Sequence, residues 1–313
     1  MNKNLPFMQW QLGLPSIDSI DNTEQAFGDA FLSAGQILYK YLLKIKSNCE
    51  ITQEFSGEPF NLAVLGLFAK MCRSYYSYIL LEVHKDRSGS QIFIEHLCET
   101  TLTLTYLLEE VDKSIFAKYI QASIHQAGYL LIQVKEQLIQ APSHPDLLKL
   151  QNQLENFISK QEQSESFELL PDLGSYLWGS KTDNTAKRGA VVGLNFLSNP
   201  ARQIATNVIP ASYLDIQLNY LHSKEQSSQI DFTALRDAAY LCLHATQAFL
   251  EEVFGDCQTE INDLEEEQQT LNALYEWFYN AHIYYQMQVG QTGQKQNSSS
   301  LSNSKITQQK HPG

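Results

Sequence analysis

Four polar side chains recur at every fourth position in one otherwise apolar stretch of the chain. They are Gln91, Glu95, Glu99 and Thr103, and His96 lies beside them. In an α-helix, residues four apart share a face, so the two carboxylates would stand one turn apart. On an apolar helix they would be partly desolvated, which raises one carboxyl pKa or demands a cationic partner. We predict a polar binding site at Glu95, His96 and Glu99, and the alternatives are a solvent-facing strip or a satisfied hydrogen-bond network.

Metal and cofactor chemistry finds little support in the spacing of the candidate ligands. His96 and Glu99 stand three apart, which suits two ligands of one metal, but helical metal sites repeat Glu-x-x-His and this chain has no such motif. There is also no C-x-x-C pair, no P-loop, no G-x-G-x-x-G and no G-x-S-x-G. We therefore expect no bound metal and no cofactor.

A second candidate lies in the helix predicted to begin after Asp231. Arg236, Asp237 and His244 resemble the pattern of helical RNases of the HEPN group, in which a histidine follows an arginine after a shorter interval. Here seven residues intervene, which turns His244 about 80° around the helix from Arg236. Catalysis by Arg236 with His244 or His222 is therefore the alternative function.

Charge and cysteine content narrow the class of protein. The chain has 22 basic and 35 acidic side chains, which argues against broad non-specific binding to nucleic acid or anionic membranes, although a local basic groove would still bind RNA. The five cysteines are scattered, as is typical of buried thiols in a reducing compartment. With no stretch long and apolar enough for a leader or a membrane span, we expect an acidic cytoplasmic protein.

Apolar residues recur at intervals of three and four along much of the chain, and glycine and proline are scarce, which predicts helices rather than strands. The clearest stripe, from Phe27 to Ile45, follows the candidate cap Asp21-Asn22. Further helices are predicted at 59–84, 91–111, 112–140, 146–160, 201–209, 211–222, 231–253 and 261–288. We expect an all-α, single-domain multi-helix bundle at 21–290, with an irregular N-terminal arm at 1–20 and a disordered tail at 291–313.

The last predicted helix is rich in aromatic residues near its end. They are Tyr275, Trp277, Phe278, Tyr279, Tyr284 and Tyr285, with His282 among them. A platform for stacking bases is conceivable. Because few basic residues are interleaved, we expect the core, or an interface in a homo-oligomer, to use these side chains.

The segment from Glu99 to Tyr106-Leu-Leu resembles part of a motif in a HEPN-like bacterial family of unknown function. That family has Arg-x-x-x-Glu, an apolar stretch and Tyr-Leu, followed by a tryptophan and then a Tyr-rich helix that ends in histidine. Trp178 matches the tryptophan, and the segment from Tyr213 to His222 matches the final helix. The family's arginine falls on Glu95, so the charge of the site has changed.

The resemblance implies a HEPN-like fold in which Tyr213 and His222 join Glu95, His96 and Glu99 in one site. From this we expect a non-catalytic binding or regulatory module for a protein partner or a small ligand. One alternative is a HEPN-type RNase that acts as a toxin or in defence. A structural oligomerisation module is the other.

Overall fold

The protein is described by a computed structural model that covers residues 5–51, 59–109, 114–162, 231–256 and 261–306. Within these residues every regular element is helical, as the apolar periodicity predicts. The helices are α1 (Leu5–Gln11), α2 (Glu24–Ile51), α3 (Pro59–Val83), α4 (Arg87–Glu109), α5 (Ser114–Gln140), α6 (Pro145–Glu162), α7 (Phe232–Asp256) and α8 (Ile261–Ile306), with one 3-10 turn at Ile17–Ser19. The helices predicted at 201–209 and 211–222 lie outside the described residues.

Side-chain caps set where three of these helices begin. The Asp231 carboxylate accepts a hydrogen bond from the Ala234 N–H (2.9 Å), as predicted for α7. The Asp86 carboxylate accepts one from the Gly89 N–H (3.0 Å) and starts α4 before the predicted position 91. At α2 the cap is Thr23, whose hydroxyl accepts from the Ala26 N–H (3.2 Å), rather than the predicted Asp21-Asn22.

The N-terminal arm is more regular than its sequence predicts, because it contains α1 and the 3-10 turn. A helix as short as α1 is marginal by itself and shows no periodicity in sequence, so contacts elsewhere must hold it. The arm is tied to α8, since the Trp277 indole N–H donates to the Pro15 carbonyl (2.7 Å). Gly13, with φ +72, supplies the left-handed residue that ends α1.

Contacts divide the chain into two compact units. The first consists of residues 1–105 and 200–313, and the second of residues 106–199. In the first unit, α7 packs against α2, α3 and α8, and α1 packs against α8. In the second unit, α5 packs against α6.

Aromatic side chains dominate the core of the first unit. Phe31 on α2 meets Phe232 and Trp277 with ring centroids 5.6 and 5.5 Å apart. Phe68 on α3 stacks on Phe249 of α7 at 4.2 Å. Full burial of one such side chain contributes about 1.5–3 kcal/mol. Burial confirms the stripe predicted from Phe27 to Ile45 on α2. Apolar residues at the same spacing are buried on α3 and α7 as well, including Val64, Met71, Tyr75, Leu235 and Cys242.

The α5–α6 hairpin of the second unit buries few of its described side chains. On α5, Ile124, Ala127 and Val134 are buried. The apolar residues that continue their three-and-four spacing are half buried, namely Phe116, Ile120, Leu131 and Leu138. An ion pair between Lys135 and Glu155 (2.9 Å) links the two helices. Because both side chains are well exposed, this ion pair adds little to the stability of the hairpin.

The last helix extends past its predicted end near residue 288. α8 runs to Ile306, so the tail predicted at 291–313 overlaps a helical stretch, and residues 307–313 lie outside the described part of the chain.

Candidate functional site

The turn between α3 and α4 fixes the position of the polar side chains on α4. Lys85 adopts φ 58 in the left-handed region, which reverses the chain between the two helices. The buried Ser90 hydroxyl donates to the Glu82 carboxylate across this turn. The start of α4 is therefore held to the end of α3 by hydrogen bonds as well as by the short turn.

We call Gln91, Glu95, His96, Glu99 and Thr103 the α4 strip. Glu99 and His96 are exposed, whereas Glu95 is half buried and Thr103 is buried. The expectation that both acids are sheltered is therefore wrong for Glu99. The reason is that the N-terminal half of α4 keeps one face exposed, as Ile92 (56% exposed) also shows, whereas every residue from Thr100 to Leu107 is buried.

The Glu95 carboxyl has a raised pKa. Desolvation is the main cause, and the nearby His96 opposes it. Two carboxylates one turn apart also repel each other by a few tenths of a kcal/mol on a helix surface. A cationic group placed between the half-buried Glu95 and the exposed Glu99 would reduce both the desolvation cost and this repulsion.

Threonine hydroxyls occupy the buried half of α4. Those of Thr101 and Thr105 donate to the carbonyls of Leu97 (2.7 Å) and of Thr101 (2.8 Å). The Thr100 hydroxyl is buried and has no hydrogen-bond partner among the described residues. It lies on α4 next to Glu99, so one unsatisfied polar atom borders the strip.

Two of the predicted site residues, Tyr213 and His222, lie outside the described residues. Their place in a site with Glu95 and Glu99 stays a prediction.

A second polar group, which we call the α7–α8 cluster, consists of Arg236, Asp237, Tyr240, Tyr275 and His282. The Arg236 Nε and Nη2 atoms both donate to one Asp237 oxygen, at 2.9 and 2.7 Å. The guanidinium lies 5.8 Å from the centre of the Tyr240 ring. Arg236, proposed from sequence as a partner of His244, is thus hydrogen-bonded to Asp237 on the same helix. His244 is half buried and lies about 80° around the helix from Arg236.

His282 belongs to this polar cluster, although the sequence indicated it only as part of an aromatic group. Its side chain is 3% exposed, and its Nε2 lies 2.9 Å from the Gln286 amide nitrogen. Because an amide nitrogen only donates, Nε2 accepts and the neutral ring carries its proton on Nδ1, which has no partner among the described residues. Burial, helped by Arg236, lowers the His282 pKa, while Asp237 and Asp231 oppose that effect.

Tyr240 and Tyr275 stack between α7 and α8 with ring centroids 4.5 Å apart. The Tyr240 hydroxyl is buried without a hydrogen-bond partner in the described part of the chain, and burial raises its pKa. Arg236 and Asp237 influence the pKa of both His282 and Tyr240. The His282 Nδ1 and the Tyr240 hydroxyl, which have no hydrogen-bond partner among the described residues, therefore lie near one ion pair. No pattern of spacing in a single helix reveals this arrangement, because it forms between two helices.

The cysteines in the described part of the chain are buried rather than reactive. Cys49, Cys72, Cys98 and Cys242 are free and buried, and Cys257 lies outside the described residues. Burial raises the Cys72 pKa to about 12, and burial with the nearby Cys72 and Cys98 thiols raises that of Cys242. Thiols in this state are protonated and therefore poor nucleophiles. Among the described residues, no group of three His, Cys, Asp or Glu side chains is arranged to hold a metal ion.

Comparison with protein families gives a match to part of the chain. Residues 61–205 are similar to the Family of unknown function (DUF5677), a segment that contains the α4 strip but neither Tyr213 nor the α7–α8 cluster. No curated protein matches the chain, and no solved structure matches it. No helix in the described ranges is both long enough and apolar enough to span a membrane. The described residues are thus helical, and nearly half of the chain is similar to a family whose function is unknown.

Proposed function

We propose that the protein is a HEPN-like helical module that binds a partner or a small ligand through the α4 strip without catalysing a reaction. The observation that carries this proposal is the half-buried Glu95 carboxyl, whose pKa is raised, one turn from the exposed Glu99. A guanidinium or ammonium group seated there would favour the ionised form of Glu95 and pair with both acids. The proposed ligand is therefore cationic.

The proposed site also includes Tyr213 and His222, on the strength of the sequence resemblance. A phenol and an imidazole would add hydrogen-bonding groups that a ligand held by carboxylates alone does not meet. An experimental structure that resolves both helices tests this part. Side chains of Glu99 and His222 more than about 10 Å apart would reject a shared site, because direct hydrogen bonds need about 3 Å.

Calorimetric titration at low ionic strength tests whether the α4 strip binds a cationic ligand. The probes are spermidine and agmatine, and the variants are Glu95→Gln and Glu99→Gln, with Glu136→Gln on the exposed face of α5 as matched control. A charge-assisted hydrogen bond contributes about 1.5–3 kcal/mol, so each strip variant should weaken binding roughly tenfold or more. Equal affinity of the wild type and both strip variants would reject the α4 strip as the binding site.

An RNase is the second candidate, and one observation favours it. The Arg236 side chain is 24% exposed, so part of it is open to a phosphate group. The test is incubation of purified protein with mixed RNAs beside His222→Ala and His244→Ala. Cleavage by the wild type that either variant loses would support an enzyme, and intact RNA in every sample would reject it.

A structural oligomer through α8 is the third candidate. Trp277 and Phe278 are buried in the core, whereas Tyr275 (48% exposed) and Tyr279 (51% exposed) lie at the surface of α8. Light scattering tests whether these rings join two copies. A monomer at high protein concentration would reject this function.

A further inference from the structure

The outward face of α3 carries large apolar side chains that are exposed, together with an arginine. Its residues are Leu62, Gly66, Ala69, Arg73, Tyr76 and Leu80, spaced alternately by four and three, and we call them the outer α3 face. Leu62, Tyr76 and Leu80 are 52%, 43% and 39% exposed. The opposite side of α3, including Val64, Met71 and Tyr75, already forms the core. A surface helix normally carries polar residues on its outward side, so the exposed Leu62, Tyr76 and Leu80 need a separate explanation.

The shape of the outer α3 face suits the packing of a second helix. Gly66 and Ala69 are small and lie between the larger Leu62 and Tyr76, and a Cβ built on Gly66 would meet nothing within 4 Å. Small residues flanked by large ones let another helix approach to the 8–10 Å typical of packed helices. The Tyr76 ring is held in place because it stacks on Tyr39 of α2 at 4.6 Å, so little side-chain freedom is lost when it is covered.

The charge around the outer α3 face is opposite to that of the whole chain. No Asp or Glu occurs at 30–49 or at 60–81, whereas Lys40, Lys70 and Arg73 are exposed there. No ion pair within the described residues involves these three side chains. The net charge of the protein is −13, so this is a local basic surface on an acidic molecule.

We propose that the outer α3 face is a docking site for an acidic amphipathic helix of a partner protein. Apolar side chains of that helix pack over Gly66 and Ala69 between Leu62 and Tyr76, and its acidic flank faces Lys70 and Arg73. A second copy of this chain is the poorer occupant, since the same face on two copies would bring Arg73 and Lys70 towards each other's positive charge. An anionic membrane is also poorer, because a recess at Gly66 does not help a helix insert its apolar side chains.

The test uses a synthetic peptide, because the outer α3 face spans about 18 residues, or roughly 27 Å. A fluorescein-labelled peptide of that length carries Leu at every third or fourth position and Glu elsewhere, and a matched peptide carries Lys in place of Glu. Fluorescence anisotropy with the full-length protein measures affinity. We expect saturable binding of the acidic peptide, weakened by added salt, and at least tenfold weaker binding of the Lys peptide.

Two variants separate the charge from the apolar contact. Lys70→Glu with Arg73→Glu should weaken the acidic peptide at least tenfold and strengthen the Lys peptide, and Tyr76→Ala with Leu80→Ala should weaken the acidic peptide roughly fivefold. The controls are Lys149→Glu on α6 and Tyr129→Ala on α5, both exposed, which should change nothing. Circular dichroism establishes that each variant is folded, as expected for substitutions of exposed side chains.

Three outcomes would overturn the proposal. They are equal binding of the Glu and Lys peptides, unchanged affinity in the charge variant, and equally strong capture by anionic vesicles of phosphatidylserine and phosphatidylcholine. Sedimentation that shows a wild-type dimer which Leu62→Glu dissociates would assign the outer α3 face to a second copy instead.

Discussion

The α4 strip and the α7–α8 cluster are both polar regions of the first unit, but they handle charge in opposite ways. In the α4 strip, two acids of like charge stand one turn apart, and one of them is exposed. In the α7–α8 cluster, a buried acid lies against an arginine, and the charges balance within the protein. The cluster is therefore expected to stabilise the fold, whereas the exposed side of the strip is the surface that we propose binds a ligand.

The two regions also differ in the kind of group that burial acts on, which is an acid in the α4 strip and a base in the α7–α8 cluster. In both, burial disfavours the charged form, so it raises the pKa of the acid Glu95 and lowers the pKa of the base His282. The consequences for stability against pH consequently have opposite signs. Three measurements, taken from the largest expected effect to the smallest, test whether this contrast is real.

Breaking the ion pair of the α7–α8 cluster should give the largest effect. Arg236→Met leaves the Asp237 carboxylate, which is 5% exposed, without its guanidinium, and should lower the free energy of unfolding by about 3 kcal/mol. Asp237→Asn should cost less, about 1–2 kcal/mol, because the Arg236 side chain is 24% exposed and can turn towards water. Urea unfolding followed by tryptophan fluorescence measures both, since Trp277 is buried in the same unit.

The double variant Arg236→Met with Asp237→Asn is the control for this pair. If the two side chains act together, the double variant should be clearly more stable than the sum of the two losses predicts. Additive losses, or a loss below about 0.5 kcal/mol for Arg236→Met, would show that the pair does not hold the cluster together. The contrast with the α4 strip would then fail.

Titration of His282 should give the second effect. Its pKa is lowered in the folded protein, so the unfolded chain binds more protons as the pH falls below the ordinary value of about 6.5. Stability is therefore complete above that pH and is lost as the pH falls through the folded-state pKa, with a slope of at most about 1.4 kcal/mol per pH unit.

His282→Gln should remove this part of the pH dependence. Urea midpoints at pH 7.5 and pH 5.5, for the wild type, His282→Gln and the exposed-histidine control His84→Gln, measure it. A wild-type difference that persists in His282→Gln would assign the acid sensitivity to other groups.

How much of these regions could be predicted from sequence depends on where the partners lie along the chain. The stripe on α2, including Phe31 and Leu38, was predicted correctly because helical periodicity alone determines which residues share a face. The cap at Asp231 was also predicted, since a cap needs only residues three apart. Local patterns of this kind are sufficient for most of the helical fold in the described ranges.

The polar sites could be predicted less well because they depend on neighbours that are distant in sequence. The spacing of Glu95 and Glu99 shows that they share a face, but it does not show whether that face meets protein or water, and Glu99 proved exposed. His282 is buried beside Arg236 only because α7 and α8 pack together. Similarly, α1 depends on its packing against α8, where the Gln9 amide donates to the Ala273 carbonyl, rather than on its own seven residues.

Neutralising Glu95 should give the smallest effect and the opposite sign. Its raised pKa means that the folded protein binds the carboxyl proton more tightly than the unfolded chain does, so its stability contribution is complete below the ordinary pKa and is lost as the pH rises through the folded-state pKa. Glu95→Gln should thus be more stable than the wild type at pH 7.5, by a few tenths of a kcal/mol because the side chain is partly solvated, and the advantage should vanish near pH 4. Thermal unfolding at both pH values measures this, with Glu276→Gln on the exposed side of α8 as control. A loss of stability at pH 7.5 would mean that a cation within the protein already pairs with Glu95, and the α4 strip would then resemble the α7–α8 cluster rather than a site open to a ligand.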